Sequence, residues 1–463
     1  MSVLHYIGAA LVLALITAVG VYSGRNVKTA HDFNAGGRRA GAGVVMGSII
    51  GTLVGGASTI GTAQLAFSYG FSAWWFTLGG GLGCLALAIC FSKPIYESGI
   101  STMPQILATE YGQSASTVVT LLTSLGSFLS IVSQILSGVA LITSVSGMGP
   151  FVSTAAIVVL MLAYVVFGGV WGVGYVGVAK TILLYVSVGI CGAVAFNMQG
   201  GWGAFREALP ASRYFNLFAR GFAVDMGAGL SLVVGVLTTQ SYIQGLISAK
   251  TLGASRAGVL TSAVLIPFIG VAGIFVGMYM KLHYPDIASA SALPLFIMRH
   301  LHPLFGGVVL ATLLVGVIGT GSGMALGLSS MICGDIYKIY INKNATDERN
   351  LLMSRGVIVT ILVCSAVFSG GNMGSMILSW SFLSMGLRGA VAFGPLCAAL
   401  FFKGRISNKY ALASMIAGPL FVLLGKFFLP SSIDPLFPGM AANILVLALA
   451  PRPRLLDGAD KSN

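Results

Sequence analysis

The sequence predicts an all-α polytopic membrane protein, and three observations carry that prediction. Hydrophobic residues make up 56% of the 463 residues, and charged residues only 8%. The mean hydropathy is +0.93, and apolar stretches long enough to cross a bilayer recur along the chain. Two of these stretches, around residues 51–70 and 316–323, are interrupted by glycine and small polar residues. Together these features indicate a bundle of transmembrane helices, two of which are irregular.

The apolar stretches predict about 13 transmembrane helices. They cover residues 2–22, 41–70, 72–96, 115–146, 150–170, 172–198, 221–248, 255–282, 303–336, 351–370, 374–402, 408–429 and 438–451. The first stretch lacks the cleavage site of a signal peptide, so we expect it to be retained as a helix. All six cysteines fall in apolar segments without metal-site spacing, so no metal cluster or organic cofactor is expected.

The basic residues predict the orientation in the membrane. Of the 25 Lys and Arg residues, Lys180 and Arg388 lie inside predicted spans, and one set of loops carries six: Arg206, Arg213, Arg220, Lys281, Arg299 and Lys426. The other 17 lie on the opposite side, which is therefore predicted to be cytoplasmic. We expect the amino terminus outside and the carboxyl terminus inside, in a bacterial inner membrane. The net charge of +13 is interpreted as this topology signal and not as a nucleic-acid site, because no basic run exceeds two residues.

The interrupted stretches predict where a solute binds. Backbone groups freed by an interruption cannot face lipid, so they must line a cavity or meet a ligand. Residues 55–61 are therefore expected to be non-helical at membrane depth, and residues 316–323 are expected to form a second break. Paired interrupted helices are typical of a transporter binding site.

The two cations inside predicted spans are the most informative charges. Arg388 lies about 21 Å along the helix from the span end at Phe402, which is near the bilayer midplane. Lys180 lies about 12 Å from its own cytoplasmic span end. A buried cation is expensive and needs a partner, yet the acidic residues all fall in loops or at span ends. Arg388 is thus either a structural residue satisfied by carbonyls or a contact for an anionic solute, and Lys180 either snorkels to the interface or has a function.

Three motifs resemble the sodium:solute symporters, the family of sugar, proline, pantothenate and sialic acid symporters. They are GASTI at residues 56–60, TTQSYIQ at 238–244 with AK at 249–250, and GDIYK at 334–338. The resemblance covers nearly the whole chain. It implies a LeuT-like core of two inverted five-helix repeats, with the solute and ion sites where the first helix of each repeat is broken.

The resemblance also implies a division of the chain. The predicted parts are an accessory first helix and loop (1–40), the first inverted repeat (41–198), an extracellular loop (199–220), the second inverted repeat (221–402), and two accessory helices with a short cytoplasmic tail (403–463).

By the same resemblance, a sodium ion would be held by carbonyls of Ala57, Ile60 and Gly316 and by hydroxyls at positions 319 and 320. Here those last positions are Gly319 and Thr320, so only Thr320 supplies a hydroxyl. Ser322 matches one hydroxyl of a second sodium site found in some members.

A further departure lies on the fifth core helix, where relatives carry an acid followed by glutamine. This chain has Gly177 and Lys180 there. The resemblance implies that the Lys180 ammonium replaces the sodium ion, as in some sodium-independent transporters of this fold. Coupling to sodium and coupling to protons both stay open at this point.

Polar side chains on the core helices are the candidate solute contacts. They are Ser58, Thr59, Gln64, Gln134, Gln240, Tyr242 and Arg388. A buried amide needs a hydrogen-bonding partner, and for each glutamine a bond between two helices is the alternative to solute contact.

We predict a secondary active transporter, working by alternating access, for a small polar solute that carries an anionic group such as a carboxylate. The alternative is a conventional sodium-coupled symporter of a neutral sugar or amino acid. An enzyme would need an intramembrane carboxylate, a metal cluster or a nucleophile, and no such motif occurs in the sequence. The expected partners are the solute and the lipid bilayer, with no nucleic acid and no obligatory protein partner.

Overall fold

A computed structural model describes residues 2–24, 38–100, 102–344, 346–372 and 374–451, with side chains except at 20–24, 165–175 and 347. The predicted all-α class is confirmed, since the elements of this part of the chain are helices. In chain order they are α1 (Val3–Gly24), α2 (Ala42–Leu53), α3 (Thr62–Tyr69), α4 (Trp75–Ala86), α5 (Ser92–Ser98), α6 (Met103–Tyr111), α7 (Gln113–Ser146), α8 (Pro150–Gln199), α9 (Gly201–Ala208), α10 (Ala211–Tyr214), α11 (Phe222–Thr238), α12 (Gln240–Ile247), α13 (Leu252–His283), α14 (Ala292–His300), α15 (Pro303–Met331), α16 (Asp347–Gly370), α17 (Ile377–Phe401), α18 (Asn408–Phe428) and α19 (Leu436–Ala448). Three π-helical segments, Ala57–Gly61, Leu87–Phe91 and Ile332–Ile341, adjoin α3, α4 and α15.

The helices have the length and surface of a membrane protein. Within the described residues, eight are long and apolar enough to cross a bilayer, or nine if the bent pair α11–α12 is one span. Large apolar side chains such as Val159, Phe268 and Val367 are more than 60% exposed. Such a surface is stable in contact with lipid chains and would be a liability in water. The predicted count of 13 spans and the predicted orientation stay predictions.

The first interrupted helix breaks between α2 and the π-helical turn that precedes α3. Val54 is extended, with φ −90° and ψ 100°, whereas Ala57–Gly61 are helical with π geometry. The expectation that residues 55–61 are non-helical is therefore wrong for Ala57–Gly61. The break is shorter and lies nearer the amino terminus.

The second break also lies elsewhere than predicted. Residues 316–323 are part of the continuous helix α15, so the expected interruption there is wrong. Instead α11 and α12 meet at Thr239, which has φ −89° and ψ 120°, and the two helices are bent by 48°. The two interruptions thus fall in the first helix of each predicted repeat.

One element, α8, covers the two spans predicted at residues 150–170 and 172–198. The side chains of Tyr164 and Lys180 both reach Gly319, each 3.5 Å from where a Cβ on that glycine would stand. A straight helix from Tyr164 to Lys180 would span about 24 Å. The element is therefore bent between these residues, and the bend divides α8 into two arms.

Close helix contacts position the site. The helix α2 packs against α8 and α13, and α15 packs against α8 and α7. Glycine permits these approaches: a Cβ on Gly177 would lie 2.1 Å from the Gly47 carbonyl oxygen, so α8 and α2 touch through their backbones. At the periphery, Asn443 of α19 donates to the Ala390 carbonyl of α17 over 2.7 Å. This bond ties the last helix to the core.

Candidate functional site: two buried cations beside two broken helices

The first break is held by side chains that take up its free backbone groups. The Gly55 amide donates to Ser58 Oγ over 2.9 Å, and the Gly56 amide donates to Gln134 Oε1 over 2.9 Å. Thr59 Oγ1 donates to the Gly55 carbonyl over 2.8 Å. In this structure Ser58, Thr59 and Gln134 therefore stabilise the break. The Gln134 side chain joins two helices, which is the alternative to solute contact that the sequence left open for the glutamines.

The bond from the Gly55 amide to Ser58 also leaves the Gly51 carbonyl without its usual helical donor. In a continuous helix the Gly55 amide would bond to the carbonyl of Gly51. Because Ser58 takes that amide, the Gly51 oxygen is left without its helical partner. A buried carbonyl in that position must find another donor.

Lys180 supplies that donor. Its Nζ atom lies 2.5 Å from the Gly51 oxygen, 2.9 Å from Thr320 Oγ1 and 3.2 Å from the Gly316 oxygen. An ammonium has three N–H donors, so the three oxygens satisfy it. The side chain is only 1% exposed, so Lys180 points into the protein and does not snorkel to the interface.

The oxygens of Gly51, Gly316 and Thr320 that surround the Lys180 ammonium form the ammonium cage, and Thr320 makes further contacts within it. Its hydroxyl lies 3.1 Å from the Gly51 oxygen and 3.3 Å from the Val54 oxygen. The cage therefore joins three elements, namely the end of α2, the second arm of α8 and the middle of α15. A monovalent cation, here an ammonium, links the broken helix of the first predicted repeat to a helix of the second.

The structure brings some of the predicted cation-site residues together and leaves others apart. Gly316 and Thr320 contact the ammonium, and Gly319 lies beside it. The Ala57 carbonyl accepts from the Thr62 amide inside the π-helical turn, and neither Ala57 nor Ile60 supplies an acceptor to Lys180 in the bonds described here. Ser322 donates to the Met161 carbonyl over 3.0 Å.

Sequence reasoning missed Gly51 and Val54, which carry the carbonyls that face Thr320. The sequence contained a signal for them, because Gly51 and Val54 have the same three-residue spacing as Ala57 and Ile60, the pair predicted to supply the carbonyls. The last carbonyls before a helix break lack helical partners, which favours the residues that precede the break as ligands.

Arg388 is the second buried cation, on α17. The side chain is 1% exposed. Its Nη2 atom lies 2.9 Å from Ser384 Oγ and its Nε atom 3.2 Å from the Ser384 carbonyl. The other neighbours are sulfur atoms, Met385 Sδ at 3.2 Å from Nη2 and Met324 Sδ at 3.9 Å from Nη1. Thioether sulfur is a weak acceptor, so the guanidinium has strong bonds on one side only.

The second broken helix reaches the same region. Ser241 Oγ contacts Met324 Sδ at 3.6 Å, so α12 and Arg388 converge on one methionine. The hydroxyl of Tyr242 is buried and has no hydrogen-bonding partner in the described part of the chain. Gln240 is engaged at its Oε1, which accepts from the Met103 amide over 2.8 Å.

Gln64 binds the start of α17. Its Oε1 accepts from the Ile377 amide over 2.9 Å, and its Nε2 lies 3.4 Å from the Ser375 carbonyl. The first of these bonds satisfies a buried backbone amide at the amino-terminal end of α17, which has no partner within the helix. Gln64 thus joins the half-helix after the first break to the helix that carries Arg388.

Neither buried cation has an acidic partner within the described residues. The ion pair found there joins Arg220 to Asp225, at 2.6 Å. Three oxygen atoms stabilise the charge of Lys180, whereas only two stabilise that of Arg388. Arg388 is therefore the less compensated cation, and a bound anion would supply the missing compensation.

Helices interrupted at membrane depth, with their free backbone groups facing buried charges, define a solute transporter built on inverted repeats. The sodium:solute symporter family matches residues 33–418. The chain belongs to that family, and it is an integral membrane protein and a secondary active transporter.

Relatives and solved structures agree with this assignment. The "High-affinity proline transporter PutP" of Bacillus subtilis (strain 168) is 23% identical over 454 residues, covering 92% of this chain and 93% of that protein. The substrate-bound, outward-open structure of a Na⁺-coupled sialic acid symporter superposes with a TM-score of 0.80 at 19% identity, covering 96% of both chains. A nucleobase-cation-symport-1 family transporter in a closed conformation has a TM-score of 0.62 at 12% identity, covering 90% of this chain and 93% of the other. The LeuT-like fold is thereby confirmed.

Proposed function

We propose that this transporter imports a small polar solute carrying a carboxylate, which binds Arg388 between the two broken helices in a bacterial plasma membrane. The observation that carries the proposal is the state of Arg388, a guanidinium buried at membrane depth whose strong acceptors both belong to Ser384. Burying such a cation costs several kcal/mol unless it is paired. A bound anion supplies the pairing.

The chemistry of the neighbours favours a carboxylate. The planar guanidinium pairs with a carboxylate through two parallel N–H bonds. Tyr242 offers a buried hydroxyl without a partner nearby, which can donate a further bond to the same anion. The sulfur contacts of Met324 and Met385 are weak enough to be displaced when the solute arrives.

The proposal extends to the cation. Lys180 occupies the cage of Gly51, Gly316 and Thr320 with a fixed positive charge. A sodium ion about 5 Å from it would be repelled by roughly 3 kcal/mol at an effective dielectric of 20, which lowers affinity more than a hundredfold. We therefore propose that the ammonium replaces sodium at this position.

Binding by the full-length protein in detergent tests the solute proposal. Carboxylate solutes should raise the Tm of the wild-type protein, whereas their uncharged amides should not. Arg388→Gln should weaken carboxylate binding at least thirtyfold, because it removes one partner of a buried charge pair. Arg388→Lys should lose less, since it keeps the charge but not the fork. The exposed Arg299 provides the matched control, and Arg299→Gln should bind as the wild type does.

Two outcomes would refute the solute proposal. One is a folded Arg388→Gln protein with unchanged affinity for the identified solute. The other is an identified solute that is neutral or cationic, which would favour a conventional symporter of a sugar or neutral amino acid.

A further inference from the structure

Asp335 is a buried carboxylate that the proposed transport site does not use. It lies in the π-helical segment Ile332–Ile341 that continues α15, and it has no exposed surface. Among the described residues it forms no ion pair with a basic side chain. A buried carboxylate is costly unless a cation or several hydrogen bonds compensate it.

Oxygen-bearing side chains from two other helices surround the carboxylate. Thr102 Oγ1, at the start of α6, lies 3.3 Å from Oδ1 and 3.4 Å from Oδ2. Thr120 Oγ1 of α7 lies 3.4 Å from Oδ2. The side chains of Gln105 and Ser116 also lie against the carboxylate. The two carboxylate oxygens and the hydroxyls of Thr102, Thr120 and Ser116 thus form a group of five oxygen atoms, with the Gln105 amide nitrogen on the same side.

Two features of this group of side chains fit a bound cation better than direct hydrogen bonds alone. The Ser116 hydroxyl is fully buried beside the carboxylate, and within the described part of the chain it makes no hydrogen bond of ordinary length. The hydroxyl-to-carboxylate distances of 3.3–3.4 Å exceed the usual O–H···O distance of about 2.7–2.8 Å. They match the edge of an oxygen octahedron around a hard cation, which is about 3.4 Å for metal–oxygen bonds of about 2.4 Å.

We propose that Asp335, Thr102, Ser116 and Thr120 form a sodium site. A single carboxylate among neutral oxygens carries one negative charge, which a monovalent cation neutralises. A divalent ion would leave an uncompensated positive charge in a buried position. No group of three or more His, Cys, Asp or Glu side chains that could hold a metal ion occurs among the described residues.

This site is separate from the ammonium cage. Asp335 and Thr320 lie on one helical element, about 22 Å apart along its axis. The occupant would hold α6 against α7 and α15. Since Gln240 of the second broken helix also binds the start of α6, an ion here would secure the short helix that adjoins that break.

Binding of radioactive sodium to the purified full-length protein tests the site, at constant ionic strength with choline chloride as the balancing salt. The wild-type protein should bind one sodium ion per chain, and Asp335→Asn should abolish that binding. Ser116→Ala removes one hydroxyl of the site with little change in volume, so it should fold normally and bind sodium roughly tenfold more weakly. Thr123→Val is the matched control, because Thr123 is buried on α7 but donates only to the Val119 carbonyl of the same helix. Thr320→Val should leave this sodium binding intact.

The proposal is overturned if the wild-type protein binds no sodium, or if Asp335→Asn or Ser116→Ala binds it as tightly as the wild type. It is also overturned if Thr320→Val abolishes the binding, which would place the ion in the ammonium cage. Stabilisation by acidic pH without any effect of sodium would make Asp335 a proton site. None of these outcomes bears on the carboxylate proposal for Arg388.

Discussion

At the scale of single residues, Lys180 has the clearest chemical consequence. Its three N–H groups match the oxygens of Gly51, Gly316 and Thr320, so the side chain performs the bonding of a small coordinated cation. A covalently attached cation cannot be exchanged with solvent. On the proposal that Lys180 replaces sodium, no energy from sodium binding is available at this position.

Replacing Lys180 by glutamine should create sodium dependence. The substitution removes the charge and leaves buried oxygens that a sodium ion can bind. In an Asp335→Asn background, which removes the other proposed sodium site, solute affinity should be independent of sodium, whereas adding Lys180→Gln should make it rise with sodium. Equilibrium solute binding at fixed pH and ionic strength measures both.

Two controls locate this effect. The exposed Lys426 gives a matched variant, Lys426→Gln, which should behave as the wild type does. Adding Thr320→Val to Lys180→Gln should remove the new sodium dependence, because it deletes the only hydroxyl of the cage. A steep sodium dependence of solute affinity in Asp335→Asn, which keeps Lys180, would contradict the replacement of sodium by Lys180.

A second prediction at this scale concerns Gln134, which binds the Gly56 amide. Gln134→Leu keeps the volume but leaves a buried N–H without an acceptor, which should destabilise the protein by about 1–3 kcal/mol. Thermal unfolding of the full-length protein in detergent should show a lower Tm. Gln113→Leu changes an exposed residue of the same helix and should leave the Tm unchanged. An unchanged Tm for Gln134→Leu would show that the break does not need this brace.

At the scale of elements, the first break depends on glycine at one position. A Cβ on Gly55 would lie 2.4 Å from Thr320 Oγ1 and 2.8 Å from Gln134 Oε1. Both atoms would have to move, and both hold the break in place. The interruption between α2 and α3 is therefore matched to the helices around it.

Gly55→Ala should accordingly reduce solute uptake into proteoliposomes at least tenfold while leaving the protein in the membrane. Gly43 lies in α2, the helix before the break, where an added Cβ would meet nothing within 4 Å, so Gly43→Ala should transport normally. Equal uptake by the two variants would mean that the cage tolerates the displacement of Thr320.

At the scale of the whole molecule, the distribution of basic residues predicts the orientation in the membrane. The loop before α19 is predicted to be outside, and the loop between α17 and α18, which carries Lys403 and Arg405, is predicted to be cytoplasmic. Ser431 and Ser407 are exposed residues in these two loops. They are suitable sites for testing the prediction.

In intact cells, a membrane-impermeant maleimide should label Ser431→Cys but not Ser407→Cys, and both should react after the cells are opened. The unmodified protein, with its native cysteines, gives the background. Labelling of Ser407→Cys alone from outside would reverse the predicted orientation.

The class of the molecule could be predicted from the sequence because membrane insertion depends on the total hydrophobicity of long segments, which does not require knowledge of the tertiary contacts. Apolar length, the scarcity of charge and the resemblance of three motifs sufficed for a helical transporter with a LeuT-like core. The importance of Lys180 and Arg388 was also predictable, since a charge deep inside an apolar span is costly and requires a compensating partner or ligand, whichever helices surround it.

Only the tertiary structure decided where the helices break and which carbonyls become free. The glycines at residues 316–323 suggested an interruption, yet they allow close packing of an intact helix, as where Gly321 meets Met161. The actual second break, at Thr239, has neither glycine nor proline. There the hydroxyls of Thr238 and Thr239 bond back to Val234 and Gly235 and satisfy carbonyls near the end of α11. The physical reason is that a local pattern shows which backbone groups can be freed, whereas the neighbouring helices determine which freed groups find a partner.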